Sequence, residues 1–422
     1  MKLTKNSELL MNFFLENKCI SHLPQNAKTK TIFKKIYDDL KEADAFIKNA
    51  KMKEGNNFYK LNITKIVSVS QILKPKTFSP ESFPVEVRQH IDNLMTYNLS
   101  YTFSLFDREI KINFIVEDNS PEYQIELYND YIEKILVWLY IVNEHSSKKC
   151  SKKIVVYLYF TSLTKVLPKS NLNYLSEINV NTAFTYTCNT DSEIVVFRKE
   201  EWFKVFIHES FHNFALDFSD MNNEECKNKI LSIFNVKSDV NLYEAYTEFW
   251  AELMNTMFCS FYLVKHKQYH LGLNEFLFNC DFFINFERTY KLFQMIKTLN
   301  FMGLTYKDLY SNDHHSELMR KTLYREKSNV LSYYIITTVM MNNYQGFLSW
   351  CNLNNFTLLQ FKKTNANVNK FCKFIEKNYK TTSILDSVKC MEHFFTVFKK
   401  QKKSKQVDFV FNNMRMSICE LG

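Results

Sequence analysis

The residues of this chain whose types and spacing could do chemistry are His208-Glu209-Ser210-Phe211-His212, an HExxH run inside the apolar stretch Trp202 to Leu216. Four residues make about one helical turn, so on a helix both imidazoles leave the same face and can share one metal ion. Glu209, one residue round, can take a proton from a water on that metal. The pattern reads as zinc with a general base. The pentapeptide alone also fits two histidines packed in a core, so other residues must decide.

A third ligand has to come from further along. Asn241-Leu242-Tyr243-Glu244-Ala245-Tyr246-Thr247-Glu248-Phe249-Trp250 opens a strongly helical stretch in which Glu244 and Glu248 share one face. Acids near a helix N-terminus are also favourable without any metal, so a solvated face is the alternative. Asp217, Asp220 and Glu252 are further acidic candidates. His266 and His270 repeat the four-residue spacing, but the residue after His266 is Lys267, a cation that opposes a metal and is a poor base at neutral pH. Both read as surface histidines.

The elements that must position these groups follow from periodicity. Residues 1–58 give two Lys-rich helical patterns with nothing catalytic on them. A short helix fits Val85 to Met95 after Pro84. Leu99 to Phe106 and Glu109 to Val116 then alternate like a hairpin joined through Asp107-Arg108. Pro121 opens a long amphipathic helix to about Glu144. Three strands come next: a buried one at Ile154 to Phe160, a polar one at Val180 to Cys188 and a third at Glu193 to Phe197, followed by the helix Lys199 to Leu216. The polar strand is the candidate for the sheet rim, where an extended peptide could add to it; an ordinary covered strand is the alternative. Beyond residue 255 the pattern is helical (Phe276 to Leu299, Asn329 to Met341, Val368 to Tyr379, Ile384 to Phe398). The organisation expected is a helical region 1–58, a domain 59–255 with the HExxH helix, and a helical lobe 256–422. The fold class is α+β, a mixed sheet with an active-site helix and a mostly helical C-terminal lobe.

With 422 residues, 46% of them hydrophobic and 23% charged, the chain can bury a large core, and its 5 Gly and 6 Pro leave little room for long linkers. The net charge of +9 is spread among acids along the chain and does not argue for nucleic acid. The one dense basic run, Lys399-Lys400-Gln401-Lys402-Lys403-Ser404-Lys405, reads first as a solvated connector and second as a phosphate or import-receptor contact. Ten scattered cysteines, with no CxxC pair, look like reduced thiols of a cytosolic protein. The apolar patch at the N-terminus is too short for a signal peptide, and the run Ile135 to Val142 is far below the roughly 18 residues that a spanning helix needs. No membrane segment is expected.

The order hairpin, long helix, strand, rim strand, strand and HExxH helix resembles zinc peptidases of the zincin type. The metzincin pattern is excluded, since Ala215 and Phe218 stand where it has Gly and a third His. Glu244-Ala245-Tyr246-Thr247-Glu248 resembles instead the second motif of gluzincins, in the Glu-Ala-x-x-acid form of angiotensin-converting enzyme and related peptidases. That resemblance implies Glu244 as third zinc ligand and Glu248 as acceptor of the free ring N–H of His208 or His212. It implies hydrolysis of a peptide or protein substrate with Glu209 as base and a Tyr or His donating to the oxyanion; Tyr333, Tyr334, His314 and His315 are the candidates. This chain departs from the pattern in a longer, acid- and Asn-rich connection, Asp217 to Asp239. The run FRKEEWFKVFIHESFHNFALDFS also resembles uncharacterised zincin-like proteins of large cytoplasmic DNA viruses, which implies a host-cytoplasmic or virion setting. A catalytically silent zincin used as a structural or binding protein is the alternative of another class.

Overall fold

The structure, a computed structural model, describes residues 2–76, 82–400 and 404–422. The fold is mixed α/β with a six-stranded mixed sheet. The chain divides into two compact units, each assembled from non-contiguous segments: Met1–Phe33, Lys165–Val180 and Met221–Gly422 form one, Lys34–Thr164 and Asn181–Asp220 the other. Among the described residues no helix is long and apolar enough to cross a membrane.

The second unit holds the sheet. Its strands are β1 (Lys60–Lys65), β2 (Tyr97–Leu105), β3 (Arg108–Val116), β4 (Lys153–Phe160), β5 (Ala183–Thr185) and β6 (Asp191–Val196), in the spatial order β1-β2-β3-β4-β6-β5. β1, β2 and β3 pair antiparallel, β3, β4 and β6 pair parallel, and β5 closes the order antiparallel to β6. The β3–β4 crossover is the helix Ile125–His145, entered through the 3-10 turn Pro121–Gln124. Parallel neighbours require such a connection. The hairpin turns one residue earlier than expected, because Phe106 takes a left-handed backbone with φ 53°.

Two expectations are corrected here. The polar segment Val180 to Cys188 keeps only Ala183–Thr185 as strand, still at the rim. Glu177–Val180 winds into a helical turn, and Cys188, with φ 57°, cannot continue an extended chain. Cys188 is also joined to Cys150 in a disulfide, so the ten cysteines are not all reduced and the argument from them to a reducing compartment loses its premise at this pair. Their sequence separation of 38 gave no spacing signal, whereas in the fold Ser151 N–H reaches Asn189 O at 2.8 Å and brings the two ends together.

Aromatic packing seats the HExxH helix, Trp202–Asn213, on this unit's core. Trp202 lies 4.9 Å from Tyr131 and 5.6 Å from Phe160, ring to ring, and Phe211 stacks on Trp138 at 6.0 Å. Each such ring removes on the order of 150–250 Å² from water, which fixes the helix face.

The other unit is helical. Leu242–Val264 and Tyr269–Met302 run consecutively, and Asn329 to Met341, expected as one helix, is a turn of π-helix, Leu331–Ile336, that continues as Thr337–Asn342. Asn365–Asn378 and Thr382–Lys399 follow. The buried tail is threaded against Tyr269–Met302: Gln294 donates to the Arg415 carbonyl at 2.5 Å, and Glu287 accepts from Ser417 Oγ at 2.6 Å and Cys419 N–H at 2.9 Å. Of the basic run, residues 401–403 lie outside the described residues. Lys399 ends its helix with Nζ on Asn300 Oδ1 at 2.6 Å.

Candidate metal centre

The HExxH helix is shorter than the periodicity suggested, because its ends are set by backbone geometry. Glu201, at φ 59°, turns the chain in, and Ala215, at φ 55°, turns it out. Asn213, the residue after His212, is tied down on three sides. Its Oδ1 accepts from Ser151 Oγ at 2.6 Å and Ser192 Oγ at 3.2 Å, its Nδ2 donates to Thr185 Oγ1 at 2.9 Å, and its carbonyl accepts Cys188 N–H at 3.1 Å. All twelve residues of the helix are buried, and the three with most remaining exposure are His208 at 6%, Glu209 at 7% and His212 at 8%. His208, Glu209 and His212 are thus the least buried side chains of a buried helix.

His208 Nε2 and His212 Nε2 stand 3.2 Å apart. Two nitrogens bound to one tetrahedral zinc at 2.0–2.1 Å would lie about 3.3 Å apart, so the pair already has the spacing of two zinc ligands. His212 Nδ1 is hydrogen-bonded to Asp217 Oδ2, with Asp217 wholly buried. A carboxylate accepts, so a hydrogen bond of this kind puts the ring proton on Nδ1 and leaves the Nε2 lone pair for a cation. Asp217 is fixed in turn by Ser219, whose N–H and Oγ both donate to Oδ1 at 3.1 and 2.9 Å. The sequence ranked Asp217 among weaker ligand candidates; the structure gives it the role of orienting His212, five residues on from that ring.

Glu244 stands in the first turn of Leu242–Val264, after Asn241 at the N-cap. Its Oε2 accepts the Tyr333 hydroxyl at 2.8 Å. Among the described residues His208, His212 and Glu244 form a group that could hold a metal ion: each offers one ligand atom, and these atoms all lie within 4.8 Å of one another. Two imidazole nitrogens and a carboxylate oxygen, without thiolate, suit zinc in the three-ligand sets that leave one position open. The residues present therefore fit that ion.

No family model, curated protein or solved structure matches the chain. The site must be read from its own residues.

Glu248, one turn beyond Glu244, is buried at 1% exposure. Glu252 is also fully buried, in an ion pair with Lys291. Asp220 is exposed. The two tyrosines part company: Tyr333 is on Glu244, whereas Tyr334 donates to the Met414 carbonyl at 2.7 Å inside the core. His314 and His315 are exposed at the start of the helix His314–Leu323, and His266 and His270 are exposed as well. Lys291 was missed by sequence reasoning, since a lysine inside a long helix carries no motif.

Proposed function

We propose that the protein is a zinc-dependent metallopeptidase of gluzincin type, with His208, His212 and Glu244 as ligands. The carrying observation is that the two HExxH imidazoles and the downstream glutamate offer ligand atoms all within 4.8 Å of one another. When bound, zinc supplies Lewis acidity and a water whose pKa approaches neutrality. Glu209, next to His208 in the chain, holds the proton lost by the attacking water and passes it to the leaving amine in this reading. Asp217 keeps His212 in the ligating tautomer. Of the two tyrosines considered as oxyanion donors, Tyr334 spends its hydroxyl proton on the Met414 carbonyl and Tyr333 spends its own on Glu244, so in this reading Tyr333 serves to hold the ligand carboxylate. The antiparallel rim strand β5 supports a zincin-like sheet and an extended peptide as substrate, paired through backbone.

Metal analysis of the purified chain tests the reading. About one zinc per chain is expected, lost in His208→Ala; zinc absent from the wild type, or retained in full by that variant, would falsify it. The near-complete burial of His208, Glu209 and His212 also favours a second reading, a metal that only holds structure. Glu209→Gln separates the two. A peptidase keeps zinc and loses on the order of 10²–10⁴ in rate, while a structural centre shows no cleavage to lose.

A further inference from the structure

The helix that carries Glu244 also carries Glu252, two turns on, and Glu252 forms an ion pair with Lys291 in which both side chains are 0% exposed. Stripping two charges of water costs free energy that their attraction only repays in good geometry, and a packed apolar pair would hold two helices as well. Stability alone does not explain the pair. The Lys291 ammonium, however, has a second bond: it donates to the Tyr333 backbone carbonyl at 3.0 Å.

That carbonyl belongs to the π-helical turn Leu331–Ile336, where three successive carbonyls take side-chain donors. Ser332 O accepts Thr337 Oγ1 at 2.8 Å, Tyr333 O accepts Lys291, and Tyr334 O accepts Thr338 Oγ1 at 2.6 Å. A single π turn inside a helix is rare and is found frequently at functional sites. Thr337 and Thr338 belong to the same stretch and move with it. Lys291 comes from another helix, Tyr269–Met302, and so is the donor of the three that fixes the turn against a neighbour.

We propose that Lys291, charge-balanced by Glu252, is a positioning residue of the metal centre: it holds the π turn so that the Tyr333 hydroxyl stays on Glu244. The contacts Glu252 to Lys291, Lys291 to Tyr333 and Tyr333 to Glu244 close a ring that begins and ends on Leu242–Val264. The ring locks the ligand carboxylate in one orientation. This rests on Glu244 being a metal ligand.

The test compares wild type, Tyr333→Phe, the double variant Glu252→Gln/Lys291→Met and the triple variant combining them. The double variant leaves no charge buried alone, which protects folding. Zinc affinity is measured by chelator competition, and the visible spectrum is recorded with cobalt(II) in place of zinc. Loss of an outer partner of a ligand weakens binding by about tenfold or more. Tyr333→Phe and the double variant should each lose about tenfold with the same cobalt spectral change, and the triple variant should lose no more than either. Wild-type affinity and spectrum in the double variant overturn the proposal, as does a triple variant whose loss is the product of the two. A wild type that takes no metal overturns the metal reading instead. The crystal structure of the double variant then decides the positioning: a Tyr333 hydroxyl still 2.8 Å from Glu244 rejects it.

Discussion

The three proposed ligands come from two helices, and these are held by different physics. Trp202–Asn213 is buried along its whole length, wedged by Trp202 and Phe211 against Tyr131, Phe160 and Trp138, and pinned at its end by four hydrogen bonds to Asn213. Glu244 is half-buried in a first turn and is fixed by polar contacts: the Tyr333 hydroxyl on its carboxylate, with Ser332 Oγ donating to the Asn241 carbonyl at 2.8 Å just before it. Apolar packing is stiff and insensitive to pH, so it suits a pair of nitrogens that must stay 3.2 Å apart. Polar clamps on a π turn are adjustable and sensitive to ionisation. Histidine geometry is thus built into the core, while carboxylate geometry depends on a network that can be loosened one bond at a time.

The harshest way to break this contrast is Phe211→Ala. Loss of the ring stacked on Trp138 should cost about 3–5 kcal/mol, read as a lower urea midpoint with unchanged slope. Since Phe211 sits between the histidines, zinc affinity should fall with it. A stability loss under 1 kcal/mol would show that packing does not hold this helix.

The polar side is tested through Glu326, which accepts Leu331 N–H at 2.9 Å at the head of the π turn, along with the Ser238 and Tyr324 hydroxyls. Burial pushes its carboxyl up from 4.5 to about 7. An acid that is harder to ionise when folded imposes no penalty where it is neutral in both states, below about 4.5. Stability is then lost as pH rises towards 7 and stays constant above it. The window is worth up to roughly 3 kcal/mol. Glu326→Gln should remove that slope, leaving the chain more stable than wild type at pH 8 and little changed at pH 4. Equal slopes in both proteins would show that the π turn is not governed by this acid.

The same contrast separates what could be read from the sequence from what could not. Long strongly patterned elements were legible: Ile125–His145, β2, β3 and β4 fall within a few residues of the expected ranges, because apolar periodicity reports burial. β1, Lys-Leu-Asn-Ile-Thr-Lys, escaped because an edge strand with mostly exposed side chains has no apolar face to announce it. The HExxH spacing singled out His208 and His212 and the acid pair singled out Glu244, and the ligand atoms of these three lie within 4.8 Å of one another. The polar side was not legible: Lys291 and Glu252 meet only through the tertiary fold, and a buried lysine looks in sequence like any surface one. Choosing Tyr333 over Tyr334 likewise depends on the π turn, which shifts by one residue the face that an α-helix would present.

Asp217 sharpens the comparison because it brings a polar clamp to the apolar side. It touches His212 Nδ1, not a ligating atom, and is wholly buried with Ser219 on its other oxygen. Asp217→Asn keeps the shape and Ser219's bond but removes the charge that favours a protonated Nδ1, so the ring can turn its acceptor the wrong way. Zinc affinity should fall about 10–100-fold, with a urea midpoint close to wild type because Phe211 and Trp202 still seat the helix. That split, affinity lost and stability kept, is the signature expected if packing sets the distance between the nitrogens while Asp217 sets only which nitrogen carries the proton. A variant that loses stability in proportion would mean that the Asp217 bond helps to hold the helix, and the division between a packed half and a clamped half would have to be redrawn at His212.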